Sequence, residues 1–285
     1  MTPTRGAGTD TDTASMVAIK NDQSPVTKKR GRGPRHLTTN QRRLVQALST
    51  LAVLIIWEFY GRTVNPVLFT YPTAIAGAFV DMIQDGTLLT ATGHTLTVVG
   101  IGALIAAISG VVIGLLAGRS ETFAAVIEIP LNALYATPAV ALIPVLVIWF
   151  GYGDVAKVVV VFFFTIFPVL INTMRGVQEV DPDLLEVARS FCSNERRVWQ
   201  DLLLPSALPY IVTGLRLAIG RALIGVIVAE FFTAITGLGN LIVTNANTFQ
   251  TARMFVPIVL LSLIGVALTA LLGGLESRMA PWRHA

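Results

Sequence analysis

Residues 186–205, EVARSFCSNERRVWQDLLLP, gather Glu186, Arg189, Glu195, Arg196, Arg197 and Asp201 into one short segment of a chain that is otherwise poor in charge. The 285-residue sequence is 53% hydrophobic and 13% charged, with a mean hydropathy of +0.68. Runs without any Asp, Glu, Lys or Arg flank the segment on both sides, at 86–118, 129–153, 158–174, 231–252 and 254–275. A bilayer core of roughly 30 Å takes about 20 apolar residues as helix, and these runs are too long for a soluble core. Spanning segments must satisfy their backbone internally, so the chain reads as an all-α polytopic helical membrane protein whose charged segment is a loop facing water.

Outward from that loop, six spans are expected, at 44–61, 94–118, 127–150, 155–174, 212–235 and 254–276. Between the first two, Tyr71, Pro72 and Thr73 open a short amphipathic helix that Gly86 closes, lying on the membrane surface. Residues 1–43 read as a disordered basic tail, 44–278 as the transmembrane domain with a cytoplasmic loop near 176–211, and 279–285 as a second tail. Nine of the 21 Lys and Arg precede residue 44. With both termini in the cytoplasm, only Arg62, Lys157 and Arg253 fall outside, which is the asymmetry the positive-inside rule asks for. Net charge of +4 does not point to nucleic acid, because so apolar a chain cannot lie along a duplex.

Within the spans, Ala106, Gly110, Gly114 and Gly118 recur every fourth residue and share one helix face. Small residues at this spacing let two helices approach closely in lipid, so they read as a packing seam, with a sliding gate as the alternative. Pro130, Pro138 and Pro144 interrupt the third span. Irregular backbone at membrane depth is tolerated where protein buries it or where it lines a path, so this segment is either a bent structural helix or part of a translocation pathway. Asn132, Thr137 and Pro138 on it, with Asn172 and Glu230 elsewhere, are the candidate path residues. Arg216 and Arg221 read as inside anchors, attraction of an anion being the lesser alternative.

The charged loop has its own grammar. Asp181 as cap, Pro182 at the first helical position and Asp183 in the first turn start a helix. Cys192, Ser193 and Asn194 break it and cap a second one, which Pro205 and Pro209 end before the chain returns to the membrane. Leu184, Leu185, Ala188 and Phe191 give the first helix an apolar side, which needs a partner or the protein's own spans to cover it.

These residues resemble a known family. Glu186, Ala188, Leu204 and Pro205 fall at the spacing of the E-A-A, three residues, Gly, nine residues, Ile-x-Leu-Pro loop of bacterial ABC importer permeases, with Val187, Cys192 and Leu202 departing from it. A glycine needing positive φ would leave Cys192 strained. The stretches ATPAVALIPVLVIWFGYGDVAK, LPSALPYIVTGLRLAIGRALIGVIVAE and GLGNLIV look like further landmarks of the nitrate/sulfonate/taurine branch, over roughly residues 70–278. The resemblance implies a type I importer fold in a bacterial inner membrane, with a second copy of the permease, two cytoplasmic ATPases and an extracytoplasmic substrate-binding protein as partners. It implies that Glu186, Ala188, Arg189, Ser190, Phe191 and Cys192 dock on an ATPase, with Leu204 and Pro205 setting the angle of return. It also implies a small organic or inorganic anion as solute, and ATP with Mg used only by the partner.

Nothing in the chain itself is suited to hydrolysing ATP: no Gly-Lys dipeptide occurs, so the phosphate-cradling loop is missing. Cys192 is the single cysteine and His36, His94 and His284 are scattered, so no disulfide or metal site is expected. The spans lack the clustered His, Asp or Ser of a lipid-modifying enzyme. The competing reading is an ion-coupled secondary transporter, for which Glu230 is the one well-placed carboxylate.

Overall fold

The computed structural model describes residues 38–279 apart from residue 234, and every regular element among them is helical. In chain order they are α1 (Thr39–Thr63), α2 (Pro72–Gln84), α3 (Thr87–Arg119), α4 (Glu121–Ala136), α5 (Ala139–Phe150), α6 (Asp154–Gln178), α7 (Pro182–Ser190) and α8 (Glu195–Arg197). A π-helical segment (Val198–Leu203), α9 (Leu204–Thr233), α10 (Leu238–Asn247) and α11 (Thr251–Met279) follow. Most of the basic tail and nearly all of the carboxyl-terminal tail lie outside the described residues.

Among the described residues, 38–49 form a unit of their own, and those from Thr50 onward form a second. In the first, α1 begins at Thr39, inside the stretch assigned to the tail. The reason is a capping box: Thr38 Oγ1 accepts from the Gln41 N–H, and the Gln41 side chain accepts from the Thr38 N–H.

In the second unit α6 is the central helix, packed between α3 and α9. Small residues bring the backbones together. A Cβ added at Gly114 would lie 2.7 Å from the Leu170 carbonyl oxygen, and one at Gly118 only 2.5 Å from Val177. Ala106, Gly110, Gly114 and Gly118 therefore form the expected seam against α6, which Gly102 extends by one turn against Val161. Gly214 and Gly225 do the same on α9, against Pro168 and Phe164. Helix α2 buries Ile75, Ala78 and Met82 in a cluster with Leu88, Leu238 and Val256.

Five helices are long and apolar enough to cross a bilayer, and the pair α4–α5 makes a sixth if it counts as one span. That pair bends by 97° at Thr137–Pro138, where proline cannot extend the ladder. Pro130 and Pro144, by contrast, are carried inside helices.

One expectation needs correction. Pro205 and Pro209 do not end a short helix: Glu195–Thr233 runs as one 39-residue helical stretch. The π segment ahead of Pro205 widens the turn where the missing N–H and the ring would otherwise break an α-helical ladder. Between the expected spans 212–235 and 254–276, Gly237, at φ 105°, turns the chain into a further helix, α10, not expected from the sequence.

Candidate functional site

Helix α7 opens as its sequence dictates, with the Asp181 carboxylate accepting from the Asp183 N–H and Pro182 at the first position. Its exit is a complete Schellman turn: the Ser193 N–H reaches the Ala188 carbonyl and the Cys192 N–H the Arg189 carbonyl. Cys192 supplies the left-handed residue, at φ 53°, the conformation a glycine takes without cost. Asn194 Oδ1 then accepts from the Arg197 N–H and starts the next helix.

The elbow is tied to the bundle on one side only. Leu185 and Ala188 pack on a cluster of Val177, Val180, Val198, Leu203 and Ala207. The Arg119 guanidinium at the end of α3 meets the Glu195 carboxylate at 2.7 Å. On a neighbouring face Leu184, Val187 and Phe191 are 50%, 51% and 82% exposed. Glu186 and Arg189 occupy the remaining face of the same helix, and their side chains make no hydrogen bond or ion pair with other described residues. Leu184 and Phe191 are among the apolar positions read from the sequence; Val187 is not, although 184, 187 and 191 make the i, i+3, i+7 signal of one helix face. Ser190 bonds back to the Glu186 carbonyl, Leu204 is exposed, and Pro205 sits just past the π segment.

The candidate path residues separate into three places. Asn132 and Asn172 meet in one cavity of about 450 Å³ between α4, α6 and α9, together with Tyr135, Arg175 and Arg221. Thr137 and Pro138 lie at the α4–α5 bend, the Thr137 hydroxyl bonded to the Ala133 carbonyl. Glu230 lines neither. It is fully buried, accepting from the Thr95 hydroxyl at 2.8 Å and from the Gly239 N–H at 2.7 Å, at the amino end of α10. Thr95 in turn accepts from the Leu238 N–H. Lys157, at the start of α6, is also buried and reaches Asp154 and both oxygens of Thr236. Carboxylate and ammonium thus clamp the turn 236–239 from two helices, and a Cβ at Gly237 would overlap the Glu230 carboxylate. The bonds that join them to other helices, Glu230 to Thr95 and Lys157 to Thr236, span 135 and 79 residues, so no local signal could reveal them.

Beyond the spans, two bonds from Thr87, hydroxyl first and then N–H, hold the Asp85 carboxyl below its ordinary range, and Arg253 adds to this. Among the described residues no group of His, Cys, Asp or Glu is placed to hold a metal ion.

A helical membrane bundle with a water-facing elbow and a polar cavity between helices is the build of a transport permease. Residues 110–281 match the family described as binding-protein-dependent transport system inner membrane component, and the chain belongs to it. This is the permease component of ABC importers, and the relatives place the chain in the nitrate/sulfonate/taurine branch. The formylaminopyrimidine transport permease protein ThiX of Halalkalibacterium halodurans is 32% identical over 241 residues, 84% of this chain and 96% of its own length. The taurine transport system permease protein TauC of Escherichia coli is 27% identical over 85% of this chain and 90% of its own. The nitrate import permease protein NrtB of Leptolyngbya laminosa is 33% identical over 64% and 66%. A crystal structure of an amino acid ABC transporter with histidines shares the fold, at TM-score 0.54 and 20% identity over 70% of this chain and 95% of that one.

Proposed function

We propose that the chain is one of two identical permease subunits of an ATP-driven importer in a bacterial inner membrane, with both termini in the cytoplasm. Two cytoplasmic ATPases bind the elbow and hydrolyse ATP with Mg, while an extracytoplasmic binding protein delivers a small anion of the sulfonate, taurine or nitrate kind. The permease itself holds no cofactor.

The observation that carries this reading is the patch of Leu184, Val187 and Phe191, open to solvent on a helix whose other side is anchored to the bundle. An exposed apolar face on a helix that also carries unengaged charge suits a groove in a partner protein. Movement of that partner reaches α3 through Arg119–Glu195 and α9 through the continuous helix from Glu195. Ion coupling is the weaker reading, because the Glu230 carboxylate is already spent on Thr95 and Gly239. Helix α4, with no buried residue, supports a second copy packing there.

A photoactivatable maleimide on Cys192 tests the docking in membranes during turnover, the expected adduct being a nucleotide-binding subunit. Exclusive labelling of lipid or of the permease itself overturns it. Glu186→Lys should insert normally while uptake falls at least tenfold and ATP hydrolysis continues; wild-type uptake in this variant counts equally against the assignment.

A further inference from the structure

We propose that the cavity between α4, α6 and α9 is an anion site inside the membrane, selecting a small oxoanion such as a sulfonate, nitrate or carboxylate. The proposal rests on the permease reading above and names the charge class that the pathway itself recognises.

The chemistry of the lining is one-sided. Its ionisable and polar members are Arg175, Arg221, Asn132, Asn172 and Tyr135, and no Asp or Glu lines it. Both guanidinium groups only donate hydrogen bonds. Arg221 Nη2 donates to the Tyr135 hydroxyl at 3.4 Å, which leaves the phenol proton to point elsewhere. Asn172 gives one amide hydrogen to the Pro168 carbonyl and keeps the other. A cation would face two fixed positive charges, and an apolar solute would leave these donors without partners. A planar or tetrahedral oxoanion accepts from several of them at once.

Depth strengthens the case. The Arg221 guanidinium lies 5.5 Å from the centroid of the Tyr135 ring, and that ring packs in a tilted contact at 5.9 Å against Phe167, near the midpoint of the 25-residue α6. An interfacial anchor sits at the end of a span, so the anchor reading of Arg221 does not fit its position. Charge at mid-span is costly and belongs where a cavity or a counter-charge receives it. The acids nearest in sequence do not line it: Glu179, one turn after Arg175, is exposed and outside the lining, Glu128, one turn before Asn132, lines a separate cavity beside Arg119, and Glu230 is engaged at α10. A volume of about 450 Å³ is within the usual range for a small-ligand site.

The test uses the full-length chain in phosphatidylcholine nanodiscs, without ATPase, titrated with sodium ethanesulfonate or sodium nitrate at constant ionic strength balanced by sodium chloride. A saturable rise in unfolding temperature is expected, with half-saturation raised tenfold or more in Arg221→Gln and several-fold in Arg175→Gln, and unchanged in Arg253→Gln. Should Arg221→Gln fail to insert, Arg175→Gln at its exposed position decides the matter. The proposal is overturned by no saturable response in the unaltered chain, or by the same half-saturation in the cavity variants. Repeating the titration in phosphatidylglycerol discs separates a lipid phosphate from a free anion: loss of the response there assigns the cavity to a headgroup and overturns its role in transport. Because no ATPase is present, failure here leaves the Cys192 docking experiment standing.

Discussion

Two of the turns that join the helices of this protein, 191–194 and 236–239, are built in opposite ways. The turn 191–194 is held by its own backbone and caps, with Phe191 and Cys192 exposed. The turn 236–239 is held by side chains from three other places in the chain, Thr95, Lys157 and Glu230, all of them buried. A turn closed by local bonds keeps its shape whatever lies outside it, so its side chains are free to meet a partner. A turn closed by distant bonds is a joint between helices, and its side chains are buried within it and away from any partner. The first construction suits a surface that must be grasped, the second a joint that must not slip.

Breaking the inner joint gives the largest expected effect. Glu230→Ala leaves the Gly239 N–H and the Thr95 hydroxyl buried without an acceptor and should cost about 3 kcal/mol, read as a fall in unfolding temperature in detergent or nanodiscs. An unchanged midpoint would mean that the clamp is not structural. Lys157→Met removes the donor to Thr236 but keeps an apolar stem, and about 1.5 kcal/mol is expected by the same measurement. The outer turn should respond in the other direction: Cys192→Gly relieves a left-handed residue and should stabilise by about 1 kcal/mol. Destabilisation there would show that the thiol is doing unrecognised packing. Phe191→Ala sharpens the contrast from the other side, since at 82% exposure it should move stability by no more than about 0.5 kcal/mol while weakening capture of the ATPase severalfold in pull-down. A large stability loss in that variant would mean the ring is covered by its own chain.

Much of this was written locally. Asp181, Pro182 and Asn194 take their capping roles, and strain at Cys192 follows from a small non-glycine residue standing where the turn needs positive φ. The seam of Ala106, Gly110, Gly114 and Gly118 faces α6, as four-residue spacing requires, and the third span breaks at Pro138. Pro205 misled for a physical reason: a proline ends an α-helical ladder unless a wider turn precedes it, and the π segment is visible only in the fold. Helix α10 escaped because LGNLIVTNAN mixes apolar residues with three Asn and a Thr and is too short to cross a bilayer, so it gives no span signal of its own. The apolar face of α7 was legible, but not that Leu185 and Ala188 turn inward while Leu184, Val187 and Phe191 turn out.

Composition, periodicity and caps determined from the sequence that this is an all-helical membrane bundle with a water-facing elbow, because each depends on residues within a turn or two of one another. Tertiary structure alone decided which charges are consumed and which remain available. It set Glu230 and Lys157 on the α9–α10 turn and brought Arg175 and Arg221 to a cavity without a carboxylate. The energy of a buried charge depends on its neighbours in space, and those neighbours are far apart along the chain.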